Sequence, residues 1–179
     1  MLLPFTIGLI VTTHFDQEMR FLADRHYSRR TVGARQFCYS GRKLVLRNAE
    51  GTILWVWMYP DPQYRMDMQM GYNCAIFRNE SKRLSSEIIL EAERFAIEKW
   101  GPNRMYTFID PRKIKSKNPG YCYKIAGWKY EGLSKSGKHI LTKYPNKITR
   151  KTALQDPDVP TAGDVGISVV VKLGEKLKT

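Results

Sequence analysis

Asp110 closes the apolar run Met105 to Ile109 and stands immediately before Pro111. A carboxylate at the C-terminal end of a buried strand is where α/β folds place active-site groups, and there it could act as a general base or ligate a metal. As an ordinary loop residue it would only open the turn that Asp-Pro favours. The stretch Arg112 to Tyr130 that follows contains six Lys or Arg residues and no acid. Arg112, Lys113, Lys115 and Lys117 are its phosphate-contact candidates, with Arg29 and Arg30 as possible additions to the same face. A second cluster runs from Arg78 to Ser86, just before the longest helical pattern in the chain. Arg78, Asn79, Lys82, Arg83, Ser85 and Ser86 are polar or cationic groups suited to an anion held at a helix N-terminus. Read without a ligand, the same segment is a solvated basic helix start.

The elements that must position these groups follow from periodicity. The opening, Met1 to Thr13, is apolar, interrupted by Pro4, without a basic leader or a small-residue cleavage site, and too short to span a bilayer. It reads as a buried strand. Phe15, Met19 and Leu22 share one face of a helix from about Phe15 to Asp24. Strands are expected at Gln36 to Tyr39, Lys43 to Arg47, Thr52 to Tyr59 and Tyr72 to Phe77, the third nearly all apolar and therefore covered on both faces. Leu84 to Trp100 is a helix whose stripe is Leu84, Ile88, Ala92 and Phe95, stopped by Gly101-Pro102. Met105 to Ile109 is a short core strand. Tyr121 to Ala126 makes one or two helical turns after Asn118-Pro119-Gly120, and Trp128 to Tyr130 with Lys138 to Tyr144 forms a final hairpin. This order predicts an α+β, mixed α/β three-layer domain over residues 1–145. Residues 146–179 form an extension in which the alternation Ile167 to Val171 could add an edge strand.

Composition narrows the partners. The 179 residues fit one domain, and 42% hydrophobic with 12% aromatic residues is enough for a core. Thirty Lys and Arg against 17 Asp and Glu give a formal net charge of +13, which draws the protein to a polyanion such as nucleic acid. Cys38, Cys74 and Cys122 are odd in number and widely spaced, which argues against a disulfide framework or a structural zinc site and fits reduced thiols in the cytoplasm.

Several segments carry a resemblance: His26-Tyr27-Ser28; Phe77-Arg78-Asn79-Glu80 with Leu84-Ser85-Ser86; and Phe108-Ile109-Asp110-Pro111-Arg112-Lys113 with Asn118-Pro119-Gly120-Tyr121-Cys122-Tyr123-Lys124 and Ala126-Gly127-Trp128. Together, over about residues 20 to 144, they resemble the Mom family, phage-encoded DNA-modification proteins of GNAT-like acyltransferase fold, in which a mostly antiparallel sheet is flanked by helices. The last block is the most specific. The resemblance implies transfer of a carbamoylmethyl (glycinamide-type) group to N6 of adenine in double-stranded DNA, shielding phage DNA from host restriction in the host cytoplasm, away from membranes. It makes His26 and Tyr27 candidate catalytic residues, His26 as an acid or base or a metal ligand, and with Asp110 a candidate iron site. It makes Asp110 a candidate base for the adenine amine, whose lone pair is delocalised into the ring.

It also implies a tyrosine after the basic loop as general acid to the leaving group. Tyr121 and Tyr123, two apart, cannot share a helix face, so one acts while the other packs; Tyr121 is taken as the active one. Tyr27, Trp57 and Tyr121 are candidates to line a pocket for an extruded base. The donor is acyl-CoA-like or glycine-derived, held at Arg78, Asn79, Ser85 and Ser86. A homodimer is a further expectation. The loop at residues 78–83 lacks the glycines that GNAT enzymes use to approach a pyrophosphate, which counts against a conventional GNAT N-acyltransferase acting on a small amine or protein. A non-catalytic nucleic-acid-binding module is the other alternative.

Overall fold

The computed structural model describes residues 8–61, 63 and 67–145. The C-terminal extension and its Ile167 to Val171 alternation lie outside the described residues. In chain order the elements are β1 (Ile10–Thr12), α1 (Gln17–Asp24), β2 (Arg42–Arg47), β3 (Ile53–Tyr59), β4 (Tyr72–Asn79), α2 (Ser85–Trp100), β5 (Met105–Ile109), α3 (Tyr121–Ile125), β6 (Lys129–Leu133) and β7 (His139–Lys143). The strands form one seven-stranded sheet in the order β1-β2-β3-β4-β5-β7-β6, antiparallel except where β4 runs parallel to β5. The α+β reading of the sequence therefore holds. A parallel pair needs a crossover, and α2 supplies it.

Two apolar layers sandwich the sheet. On one face Ile88, Ile89, Ala92 and Ala96 of α2, with Tyr123 of α3, pack on Trp55, Trp57, Tyr72 and Cys74. On the other face Met19, Leu22 and Ala23 of α1 pack on Leu54, Val56, Met58 and Ile76. β3 faces both layers, which is why its sequence is apolar without alternation. Each large side chain buried in this way contributes ~1.5–3 kcal/mol. The one charge in the α2 layer is satisfied: Glu93 accepts from the Trp128 indole at 2.6 Å and from Lys143 Nζ at 2.6 Å.

Four expectations change. Among its described residues the opening run forms a three-residue edge strand whose Ile10 and Val11 are exposed, because β1 has a neighbour on one side only. The helix predicted from Phe15 starts at Gln17, since the Asp16 side chain accepts from the Met19 N–H and caps it. Gln36 to Tyr39 is not a strand: Phe37 anchors that segment in the α1 layer while its neighbours follow a loop. Trp57 is fully buried and donates its indole N–H to the Ala92 carbonyl at 2.8 Å, so it belongs to the core and not to a base pocket. Among the described residues no helix is long and apolar enough to cross a membrane.

Candidate active site

The sheet opens between its two parallel strands. β4 and β5 pair at Tyr72–Met105, Asn73–Tyr106 and Cys74–Thr107, and the pairing stops there although β4 continues to Asn79 and β5 to Ile109. Opposite, the β3–β4 register slips between Val56 and Trp57, so that Ala75 is an extra residue in β4. Such a bulge bends its strand and leaves the extra residue out of the ladder. The bend carries the end of β4 away from β5 and leaves a crevice edged by backbone amides. The Thr107 hydroxyl donates to the Cys74 carbonyl at 2.9 Å and marks the fork.

The loop after α1 enters this crevice. The Tyr27 hydroxyl donates to the Phe108 carbonyl at 3.3 Å and lies within hydrogen-bonding reach of the Asp110 N–H. Burial, with Cys74 and Asp110 nearby, raises its pKa, so it stays a neutral phenol. His26 stacks on Tyr27 with ring centroids 4.5 Å apart. Its Nδ1 accepts from the Ser28 N–H at 3.3 Å, which places the imidazole proton on Nε2. Burial, with the nearby Arg78 charge, depresses its pKa to about 4, so His26 is a neutral donor at pH 7 and not an imidazolium.

Asp110 is buried and its carboxylate is taken up by one neighbour. Arg112 Nε donates to Oδ1 at 2.9 Å, Arg112 Nη2 to Oδ2 at 3.0 Å, and the Arg112 backbone N–H to Oδ1 at 3.1 Å. The Arg112 hydrogen bond holds the carboxyl at about 2. A group that acidic takes up a proton poorly, so the general-base role is available to Asp110 only if Arg112 moves away. Among the described residues no three His, Cys, Asp or Glu side chains are placed to hold a metal. His26 and Asp110, the expected iron ligands, are a neutral imidazole with Nδ1 engaged and a carboxylate filled by a guanidinium. The donor set does not fit iron, and that expectation is set aside.

The tyrosines of α3 take opposite positions. Gly120 adopts a left-handed backbone (φ 76°) at the start of α3, where an added Cβ would meet Leu141 and Ile109. From there Tyr121 points outward, 58% exposed, while Tyr123 is buried and its hydroxyl lies 3.2 Å from the Cys74 sulfur. Of the two, Tyr123 lies buried beside Cys74, and Tyr121, the expected active one, lies at the surface. Burial, with Cys74 beside it, raises the Tyr123 pKa well above 10, and burial raises Cys74 to about 12. In the sequence Tyr123 is the α3 tyrosine left to pack, and Cys74 carries no role beyond being one of three widely spaced thiols. The alternation of Tyr72, Cys74 and Ile76 in a half-buried strand was the available signal.

The segment expected to hold an anion is built without glycine. The Asn79 amide donates to the Arg83 carbonyl (2.8 Å) and to Ser85 Oγ (3.0 Å), while its Oδ1 accepts from Ser81 N–H and Oγ. This fixes the turn into α2. Leu84 at the N-cap supplies no capping side chain, so the first N–H groups of α2, at Ser85 and Ser86, remain for another acceptor. Arg78 is already engaged: its Nε donates to Glu80 at 2.6 Å and its Nη1 to the Arg25 carbonyl at 2.6 Å. Arg25 completes the latch with bonds of 2.9 and 2.7 Å to Glu80, whose carboxyl it holds at about 2. Arg78 and Asn79 thus shape the site, and Ser85, Ser86 and the exposed Lys82 are the groups left facing an anion.

Of the expected DNA contacts, Lys113, Lys115 and Lys117 are exposed on the segment between β5 and α3, and Arg30 is exposed on the loop carrying Tyr27. Arg112 is exposed but committed to Asp110. Arg29 is corrected: it forms a nearly buried ion pair with Asp24 at 2.7 Å and also donates to the Ala34 and Gln36 carbonyls. It is a structural brace with no free donor face for phosphate.

No family model and no curated protein sequence matches the chain. Among solved structures it is similar to aminoglycoside acetyltransferase AAC(6')-Ib bound to coenzyme A, with a TM-score of 0.53 and 13% identity over 81% of this chain and 98% of that one. It is similar to the same enzyme with coenzyme A and kanamycin, with a TM-score of 0.52, 14% identity and the same coverage. The forked sheet, the α2 crossover and the terminal hairpin are those of a GNAT acetyltransferase fold.

Proposed function

We propose that this protein is a GNAT-fold transferase that modifies N6 of adenine in DNA, adding a carbamoylmethyl group in the manner of the Mom family. The observation that carries the reading is convergence. The segments that resemble that family are far apart in sequence yet meet at one crevice: Tyr27 on the Phe108 carbonyl, Arg78 on the Arg25 carbonyl, Tyr123 on Cys74, and Phe77 edge-on to Tyr123 with centroids 6.1 Å apart. Two exposed basic segments adjoin these residues in the chain: Arg30 and Arg35 follow Tyr27, and Lys113, Lys115 and Lys117 follow Asp110.

Charge separates this from a small-amine acetyltransferase. An aminoglycoside is a polycation and needs free carboxylates. Here the mouth carries lysines, and its buried carboxylate is neutralised by Arg112. A polyanion suits that field, and phosphates would be held by the lysines.

A donor of the coenzyme A type fits the residues present. The unpaired edges of β4 and β5 suit an amide-bearing arm, and the uncapped N–H groups of Ser85 and Ser86, with Lys82, suit a phosphate. A thioester of that type would deliver its acyl carbon to the amine and lose a thiolate, giving a glycyl amide; a carbamoylmethyl group, joined through its methylene, would need a donor carrying its leaving group on that carbon instead. The chain does the rest. Tyr27 and His26 present a flat, neutral stacked pair against which an extruded purine can lie. The His26 Nε2–H offers a hydrogen bond without positive charge, while the Tyr27 hydroxyl is held by the Phe108 carbonyl. The Tyr123 hydroxyl, kept protonated by burial, is the proton source at the inner end of the crevice.

The test is mass spectrometry of nucleosides from plasmid DNA recovered from cells expressing the protein. An adenosine heavier by the carbamoylmethyl increment is expected. Unmodified DNA in the presence of abundant folded protein would sink the proposal and favour a small-molecule acyltransferase or a plain DNA-binding module.

A further inference from the structure

The loop between α1 and β2 has an unusual tip. Thr31, Val32, Gly33 and Ala34 form a turn closed by the Ala34 N–H to the Thr31 carbonyl at 3.4 Å. Gly33 has a positive φ of 78°, the requirement of the third position in a type II turn, which puts Val32 at the outer corner. Val32 is 70% exposed. Single exposed apolar residues are ordinary, so exposure alone decides nothing. What sets this one apart is the bracing beneath it.

A single ion pair grips both arms of the turn. Asp24 accepts from Arg29 Nε at 2.7 Å with one oxygen and from the Gly33 N–H at 3.0 Å with the other. Arg29 then donates to the Ala34 carbonyl at 2.9 Å and to the Gln36 carbonyl at 3.0 Å. The pair is nearly buried, with the Arg29 and Asp24 side chains 9% and 12% exposed. Farther along, Phe37 pins the returning arm into the α1 layer. An exposed turn that served only to connect α1 with β2 would not need a buried charge pair holding three of its backbone groups. The flanks are cationic: Arg30, with its guanidinium 6.0 Å from the Tyr39 ring centroid, and Arg35, 5.3 Å from that of Phe15. Val32 lies five residues after Tyr27 at the crevice mouth, at most ~18 Å of extended chain.

We propose that Val32 is the apolar point of a rigid wedge that enters duplex DNA beside the base being extruded, with Arg30 and Arg35 on the flanking phosphates. The inference rests on the adenine-modifying reading and deepens it. An amine inside a base pair can be reached only after the base leaves the stack, which costs its stacking and pairing energy. An apolar side chain pushed between base steps replaces part of the lost stacking. A soft loop would bend instead of prying, and the Asp24–Arg29 pair supplies the stiffness.

The test uses the purified full chain and a mixed-sequence duplex with 2-aminopurine at several adenine positions. Its fluorescence rises when the base unstacks. The wild type is expected to raise it, Val32→Leu to retain the rise, and Val32→Ala to lose most of it while binding within about twofold, since no phosphate contact is removed. Modified adenosine in cellular plasmid DNA should fall about tenfold in Val32→Ala, equivalent to losing part of the extrusion energy. An undiminished rise or undiminished modification in Val32→Ala overturns the wedge, as does a wild type that gives no rise. Absence of modified adenosine with the wild type overturns the adenine-modifying reading instead, and the fluorescence then decides the wedge separately.

Discussion

The Tyr123 hydroxyl and the Cys74 sulfur lie 3.2 Å apart at the inner end of the β4–β5 crevice, one from a short helix and the other from the strand beside the bulge. Burial raises both groups, Cys74 to about 12, so at neutral pH the pair is a thiol and a phenol and not a thiolate. Cys74 is consequently no nucleophile, since the thiolate is the reactive form. The pair keeps a proton at the place where a leaving group would need one.

Replacing Tyr123 with Phe separates that role from packing. The ring keeps its contacts with Trp55, Phe77 and Trp128, and losing one buried hydrogen bond costs ~1 kcal/mol. The yield of modified base should fall ~10²-fold if the hydroxyl supplies a proton, with the melting temperature lowered by only a few degrees. Tyr121→Phe, on the exposed side of the same helix, should change neither quantity. Equal activity in Tyr123→Phe and the wild type would remove the acid role.

The depressed His26 pKa has a consequence for acid stability. Unfolded, the imidazole titrates near 6.5; folded, it titrates at about 4. Between those values the unfolded chain binds more protons, so stability is fully present above pH 6.5 and is lost as pH falls toward 4. The loss attributable to His26 is on the order of 3 kcal/mol at most. His14 is also lowered, by burial and by Lys43, and acts in the same direction. Melting curves of the wild type and His26→Gln between pH 7 and 4 should therefore converge as pH falls. Parallel curves would show that His26 keeps its ordinary pKa.

These groups show what the sequence could and could not convey. Periodicity found the α2 helix, β5 at Met105–Ile109, and the apolar β3, because burial on one or two faces leaves a repeat that one segment carries by itself. The crevice was less legible. It depends on an extra residue at Ala75 and on where the β4–β5 pairing ends, and both are relations between strands. Asp110 and the His26-Tyr27 dipeptide stood out by position and resemblance. The bidentate grip of Arg112 on Asp110, two residues away, gave no sequence signal. Arg29 and Arg30 are adjacent and look alike in sequence; only the fold makes one a buried brace and leaves the other at the surface.

The hold of Arg112 on Asp110 can be read by titration. In Arg112→Ala the carboxyl should rise from about 2 toward the ordinary Asp value near ~3.9, short of it because Lys138 remains nearby. A depressed carboxyl contributes stability that is present above its unfolded pKa and lost as pH falls through the folded one. The variant should therefore have less of that contribution, and should have lost all of it at a higher pH than the wild type. A carboxyl-selective NMR titration gives the midpoint directly. An unchanged midpoint would mean that the backbone N–H of residue 112, which the substitution leaves in place, sets the acidity alone.

The lysines between β5 and α3 bear on the polyanion most directly. Lys113, Lys115 and Lys117 are exposed, and each phosphate contact on duplex DNA releases counterions, so that log K falls against log salt with a slope near ~0.9 per contact. If all three touch phosphate, the triple Ala variant should lose ~2.7 from the magnitude of that slope and bind more weakly on every sequence. Arg29→Ala should behave in the opposite way. Breaking its nearly buried pair with Asp24 costs about 3 kcal/mol of stability, with the slope unchanged in whatever protein remains folded. Fluorescence anisotropy with a labelled duplex from 50 to 300 mM salt, alongside thermal melts, checks both. A triple variant that keeps the wild-type slope would move the DNA-binding surface away from the β5–α3 segment, and with it the reason for placing the substrate at the mouth beside Asp110.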